Sequence, residues 1–359
     1  MKISVTIPTF NRAHLIGYAI DSVLKQTYTN VEIVVIDDGS TDGTAEVVAR
    51  YGDRVRYVWQ PNRGLGAARN AGLAHATGDC IAFLDSDDYW FDFKLALQVS
   101  LLSRLPGVSF VFSEFEILKD NGSIVRQGSR TWLAKGARWD DLYPTRRSSR
   151  ALGVAVAGAP DDFPVYTGPM YRHFLDEAFV LPTTAVVRRE ALRDLRFTEG
   201  MTIFEDWELF ARLARDWNGA FMDVETAVNR GHNEPGRLTR CHSLAKAQCY
   251  LDMLDRVWKA DATFRAEHPD ALRRAESGAV LALAERALLA SRPDVVRDAL
   301  ARWRRVDGRV KAHKAIACAM LAQVPGGRHI MRAGLVAEKL VRRAITGSRD
   351  GATAVNPAA

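Results

Sequence analysis

The 359-residue chain has few cysteines, and none of its apolar runs is long enough to cross a bilayer. Cys80, Cys241, Cys249 and Cys318 are scattered and form no CxxC pair, which excludes a disulfide framework and a zinc ribbon and makes a reducing cytosol the expected compartment. A spanning helix needs roughly 18 or more apolar residues. The opening strand in MKISVTIPTFNR stops at Pro8, too soon for a secretory leader. There is no GxGxxG and no GK[ST], so neither a dinucleotide fingerprint nor a P-loop is expected. The net charge of +6 is modest, and no nucleic-acid partner is expected. Hydrophobic content of 47% and charged content of 26% are those of a globular protein with a sizeable core.

The most concentrated feature is the stretch Gly78 to Trp90, GDCIAFLDSDDYW. An apolar run, Cys80 to Leu84, ends in three carboxylates within four residues: Asp85, Asp87 and Asp88. Such a run bounded by turn formers suits a strand buried on both faces. Crowded carboxylates repel one another unless a positive group sits among them, and a divalent cation with oxygen ligands is the simplest candidate. Capping of the next helix by Asp87 or Asp88 is the plainer alternative.

Ahead of that stretch, strands alternate with helices. Ile3–Ile7, Val31–Ile36, Val55–Trp59 and Cys80–Leu84 have strand character. Leu15, Ile16, Ala19, Ile20, Val23 and Leu24 follow the helical period, Thr41 is a candidate cap for a second helix, and Gly64–Ala76 is a small-residue helix. The pattern predicts a doubly wound, mostly parallel α/β sheet flanked by helices. Ligands in such sheets bind beyond the carboxyl ends of the strands. Pro8 to Arg12, Asp37 to Ser40 and Asp85 to Asp88 all follow strand ends, so they are expected to share one crevice. Arg69 and Asn70 could reach a nucleotide phosphate from the small-residue helix; alternatively the Arg pairs with a nearby Asp and the Asn ties down a loop.

Taken together and in order, IPTFNR, VVIDDGSTDGT, NRGLGAARNAGL and GDCIAFLDSDDYW resemble the family-2 glycosyltransferases of the GT-A fold. The resemblance extends to about residue 240. It implies a nucleotide-sugar donor, with UDP as the default, held by Pro8, Thr9, Asn11, Arg12, Asp37, Asp38, Arg69, Asp85 and Ser86. Thr9 and Asp38 would face the base, and Asp85 the ribose. It implies Mn²⁺ or Mg²⁺ on Asp87, with Asp88 as second choice and His232 as a further metal ligand. The catalytic base falls on Asp206 in FEDWELF, a segment that by itself could be simple helix capping. The implied reaction is inverting transfer to a saccharide or lipid-linked acceptor in bacterial surface polysaccharide synthesis. A sugar nucleotidyltransferase and a non-catalytic nucleotide-sugar scaffold are the alternatives.

Residues 130–169 lack periodicity and are expected to form an acceptor-side insertion. Beyond residue 240, Ala-, Leu- and Arg-rich segments predict a helical appendage over 241–350 and a disordered tail over 351–359. Between residues 301 and 349, twelve Lys or Arg face only Asp307 and Glu338. Such a stretch could lie on an anionic membrane surface from the cytoplasmic side; the alternative is a solvated helix face or an acidic partner.

Overall fold

The computed structural model describes residues 1–131, 138–231 and 243–307, with the single positions 318, 321, 329 and 330. The chain divides into two compact units, Met1–Cys241 and His242–Ala359. The first begins with the expected alternation: β1 (Ile3–Thr9), α1 (Ile16–Leu24), β2 (Val31–Asp37), α2 (Thr44–Ala49), β3 (Arg56–Trp59), α3 (Leu65–His75) and β4 (Cys80–Phe83). Then follow β5 (Tyr89–Trp90), α4 (Lys94–Arg104), β6 (Val108–Lys119), β7 (Ile124–Val125), α5 (Trp139–Leu142), β8 (Thr145–Ser148), β9 (Pro164–Gly168), β10 (Val186–Arg188), α6 (Glu205–Asp216) and β11 (Asn218–Gly231).

The strands form one mixed sheet in the order β3-β2-β1-β4-β10-β6-β11-β9-β8, with β5 on β11 and β7 on β6. β1 runs parallel to β2 and to β4, and β2 parallel to β3. β10 is antiparallel to both its neighbours. Every residue of β1 and β4 is buried, as their continuous apolar runs require of strands covered on both faces. Ile3, Val5, Ile7, Ile33, Val35 and Ala82 join one core cluster, to which Ile16, Ala19 and Ile20 of α1 contribute their helical stripe. Helix α3 lies close on β1 because Gly72 leaves room: a Cβ there would stand 3.0 Å from that of Thr6.

Two local expectations need correction. Thr41 does not cap α2. The N-cap position is Gly43, which has no side-chain cap, and just ahead of it Oδ1 of Asp42 accepts the Thr44 N–H at 3.0 Å in an Asx turn. Nor is the segment after Arg130 merely an insertion: β9 pairs with β11, and β8 with β9, extending the sheet. Aromatic packing drives this, with Trp139 stacked on Phe221 at 3.9 Å and Tyr143 and Tyr166 buried beside them. Such long-range contacts leave no periodic trace in the sequence.

The second unit contains α7 (Ser243–Arg256), α8 (Ala262–Glu267), α9 (Pro269–Leu289) and α10 (Pro293–Asp307). Asp261 caps α8 through the Phe264 N–H at 3.0 Å. Buried Leu254, Trp258, Val280, Ala284 and Val296 form its interior. The nearly buried Glu276 takes both Lys259 and Arg302 at 2.6 Å. Past residue 307, all of the basic stretch but positions 318, 321, 329 and 330, and the tail over 351–359, lie outside the described residues, so that part of the expected helical appendage does too. Among the described residues no helix is long and apolar enough to cross a membrane.

Candidate active site

β1, β2 and β4 are parallel, so their carboxyl ends lie at one edge of the sheet. The chain steps from β1 outward to β2 and β3 and then returns to place β4 on the other side of β1. That reversal is the point at which such sheets bind ligands. Thr9 stands opposite Asp37 and Asp37 opposite Trp59, which brings the first two polar clusters together. The Asp38 N–H donates to the Thr9 carbonyl at 2.9 Å. Asn11 clasps the two loops: its N–H donates to Ser40 Oγ and its Oδ1 accepts the Thr41 N–H, both at 2.8 Å. It does so from a left-handed conformation, φ 52°, which Asn tolerates.

The paired aspartates have built-in partners. Asp37, almost fully buried, accepts the Ser40 N–H at 2.7 Å and the Tyr57 hydroxyl at 2.6 Å. Tyr57 is accordingly driven to a very high pKa by burial and by that carboxylate. Oδ1 of Asp38 accepts Gln60 Nε2 at 2.7 Å and the Arg63 N–H at 3.0 Å, while Oδ2 accepts the Gly64 N–H at 2.8 Å. Asp38 thereby anchors the start of α3, where the helix dipole favours an anion, and Oδ2 keeps acceptor capacity. The Thr9 hydroxyl is enclosed without a partner among the described residues, and Pro8 and Ser86 are buried. Phe10, which is not among the implied donor-site residues, is exposed at 45%. Arg12 is partly exposed, its N–H on Thr44 Oγ1 at 3.1 Å.

The acidic loop after β4 separates into distinct environments. Asp88 is buried and accepts Thr183 Oγ1 at 2.8 Å, Asn229 Nδ2 at 3.1 and 3.2 Å, and the Arg230 N–H at 3.0 Å. With its oxygens so engaged, Asp88 ties the loop to β11, which counts against its use as a metal ligand. Burial, with Asp87 and Asp85 close by, pushes its pKa well up while the donors pull it down. Asp85 and Asp87 are only partly buried. Asp85 Oδ1 accepts Arg69 at 2.8 Å, and its Oδ2 has no partner among the described residues. These are hard oxygen donors, and their chemistry fits a divalent cation. Among the described residues no group of three His, Cys, Asp or Glu side chains could hold a metal. His232 lies outside the described residues.

Arg69 does not stand open to a phosphate. It is 2% exposed, with one terminal nitrogen on Asp85 at 2.8 Å and the other on Glu205 at 2.6 Å. The reason is local charge: a buried guanidinium between two carboxylates is held by both. Asn70 likewise ties down a loop, exchanging hydrogen bonds with the Phe197 backbone at 2.8 and 2.9 Å. Glu205 opens α6 after Phe204, whose φ of 74° is left-handed and unusual for an aromatic residue. Burial and the neighbouring Asp206 raise Glu205 to about 7, against the pull of Arg69. Asp206 is also raised, first by burial, with Arg69 opposing and Asp85 adding to the rise. A carboxylate so raised is a better proton acceptor near neutral pH.

Beneath this edge the hydroxyl of Thr183 joins Asp85 and Asp88, and its carbonyl accepts Trp90 Nε1 at 2.8 Å. Lys94, fully buried and 4.7 Å from the Trp90 ring centre, bonds Gln98 and the Thr184 carbonyl, with no carboxylate partner among the described residues. Burial holds its pKa well below the ordinary lysine value. The unfolded chain therefore binds more protons between the two values, and stability rises with pH up to about 10.4. Lys94→Met is expected to remove that rise, which urea denaturation of both proteins across the alkaline range would detect as a flatter difference curve.

The model of the Glycosyl transferase family 2 matches residues 4–196. The chain belongs to that family. The match takes in β1–β4 and the acidic loop, and stops short of α6. A glucosyltransferase of Escherichia coli, WfgD, named for transfer from UDP-Glc to α-D-GlcNAc-diphosphoundecaprenol, is 40% identical over 124 residues, 34% of this chain and 49% of that protein. An uncharacterised glycosyltransferase of Nostoc sp. is 41% identical over 133 residues, 36% of this chain and 41% of its own length. The chain thus spans less than half the length of either relative. Among solved structures, TarS of S. aureus with UDP-GlcNAc superposes at a TM-score of 0.54 with 19% identity, covering 89% of this chain and 91% of that one. A mannosyltransferase of Pyrobaculum calidifontis with GDP-Man and Mn²⁺ reaches 0.51 with 20% identity, covering 98% and 88%. The fold is that of these GT-A enzymes, a mixed, mostly parallel sheet flanked by helices.

Proposed function

We propose that this family-2 protein is an inverting glycosyltransferase that moves a sugar from a nucleoside-diphosphate donor, UDP by preference, to a hydroxyl of a saccharide or lipid-linked acceptor in surface-glycan synthesis. The observation that carries the reading is the buried Arg69 bridge, which joins the acidic loop at Asp85 to the start of α6 at Glu205. Asp85 on the donor side and Glu205, the residue next to the candidate base Asp206, therefore meet across one guanidinium. The UDP-sugar in the TarS complex and the UDP-Glc in the WfgD name support the donor class.

In this reading the exposed Phe10 ring and Asp38 Oδ2 receive the base, with Asn11 and Arg12 shaping the loop around it. Asp85 Oδ2 faces the ribose. Asp87 is the residue that would hold Mn²⁺ or Mg²⁺; the Mn²⁺ in the mannosyltransferase complex supports the use of a divalent cation. When bound, the cation supplies Lewis-acid stabilisation of the charge on the departing diphosphate. Asp206 accepts the proton of the acceptor hydroxyl as that oxygen attacks the anomeric carbon from the face opposite the nucleotide. One base is sufficient, because inversion needs no carboxylate nucleophile.

The test is nucleoside diphosphate release from a panel of nucleotide sugars, with acceptor extracts, in Mn²⁺, in Mg²⁺ and in EDTA. Release that depends on one donor and is abolished by EDTA is expected. Absence of release from every donor would overturn the assignment of activity, and release unchanged in EDTA would overturn the metal role of Asp87.

A further inference from the structure

At the opposite end of the sheet, where β1 and β4 begin, lies a cavity of about 640 Å³. Its wall carries Arg188, Arg189, Arg193 and Arg196, with Asp79 and Glu190 as the acids. Arg188 sits in register with Cys80, so this cluster is separated from the donor crevice by the length of β4. Two of the arginines have structural work. Arg188 donates to the Val108 and Leu102 carbonyls at 2.9 and 2.7 Å. Arg196 donates to the carbonyls of Leu192, Arg193 and Leu195 at 3.2, 3.1 and 2.8 Å. Arg189 and Arg193 are exposed, and neither guanidinium has a partner among the described residues. Asp79 is already engaged, accepting the Lys2 N–H at 2.7 Å.

Four guanidiniums around one hollow repel one another, and packing accounts for only two of them. We propose that this cavity is a second ligand site, taking a phosphate-bearing anion on the Arg189 and Arg193 guanidiniums. A guanidinium presents a planar fork of donors that matches phosphate oxygens, and two such forks at a concave surface hold an anion better than a flat charged face does. The phosphate is that of a small soluble ester or of a lipid headgroup. Both share the chemistry that the site recognises.

The experiment compares the full chain with R189A/R193A, in EDTA so that the donor crevice lacks its cation. Pyrophosphate is titrated calorimetrically, and vesicles of phosphatidylcholine with and without phosphatidic acid are tested by co-sedimentation. Both substituted side chains are exposed, so equal thermal unfolding without anion is expected. Binding weakened at least about tenfold in the double variant supports the site. Pyrophosphate binding marks a soluble ligand; sedimentation only with phosphatidic acid, lost in the double variant, by a protein that does not bind free pyrophosphate marks a headgroup. Equal binding by both proteins, or binding of neither probe, overturns the proposal.

Discussion

Asp206→Asn is expected to lower kcat by about 10²–10⁴-fold while leaving the donor KM nearly unchanged, because only proton acceptance in the transition state is lost. The substitution is isosteric, and the Asp206 oxygen that accepts the Trp207 N–H at 2.7 Å is reproduced by an amide oxygen. A second signature concerns pH. Burial raises the Asp206 pKa, so the proposed base protonates at a higher pH than an ordinary carboxylate does. The wild-type rate is thus expected to fall as pH falls through that raised value, and the residual rate of the Asn variant to lack this limb. Glu205, raised to about 7 beside it, titrates in the same window, so the limb belongs to the pair. Glu205→Gln separates the roles, since it retains Asp206 and should retain an acid limb. Diphosphate release at the wild-type rate in Asp206→Asn would exclude this residue as the base.

The frame of the site was legible because it rests on local rules. Strand ends at Thr9, Asp37 and Phe83 follow from apolar runs interrupted by polar residues, and parallel topology then brings those ends together. Buried long-range contacts were less legible. Thr183 lies 98 residues from Asp85 and 95 from Asp88, and LPTT carries no pattern that predicts a hydroxyl shared between two acidic-loop residues. Asp85, Asp87 and Asp88 look equivalent in sequence. Asp88 is set apart by Thr183, Asn229 and Arg230, which all donate to it. Arg69 could be named from its place on α3, but whether it faced a ligand or an acid depended on Glu205, 136 residues away. Phe10 carried a usable signal: an aromatic residue between the buried Thr9 and the turn-forming Asn11 has no core position to fill.

Arg69→Met is expected to cost about 3–5 kcal/mol of stability, since it leaves the buried Glu205 charge without its partner. The Asp85 half of the bridge contributes less, because that side chain is 25% exposed and water screens it. Glu205→Gln in the same chain removes the stranded charge, so the double variant should be more stable than the sum of the single losses predicts. Chemical denaturation of the four proteins measures this coupling, and additivity within about 0.5 kcal/mol would mean that the two side chains do not act as a pair. The bridge also has a kinetic consequence. The Arg69 charge opposes the rise of the Asp206 pKa, so its removal moves that pKa further up and the acid limb of kcat to higher pH. Arg69→Lys retains the charge but not the planar fork that reaches two acids at 2.6 and 2.8 Å. It should therefore keep much of the wild-type pH profile while losing stability and kcat. A purely structural arginine would lower stability in both variants without moving the acid limb in either.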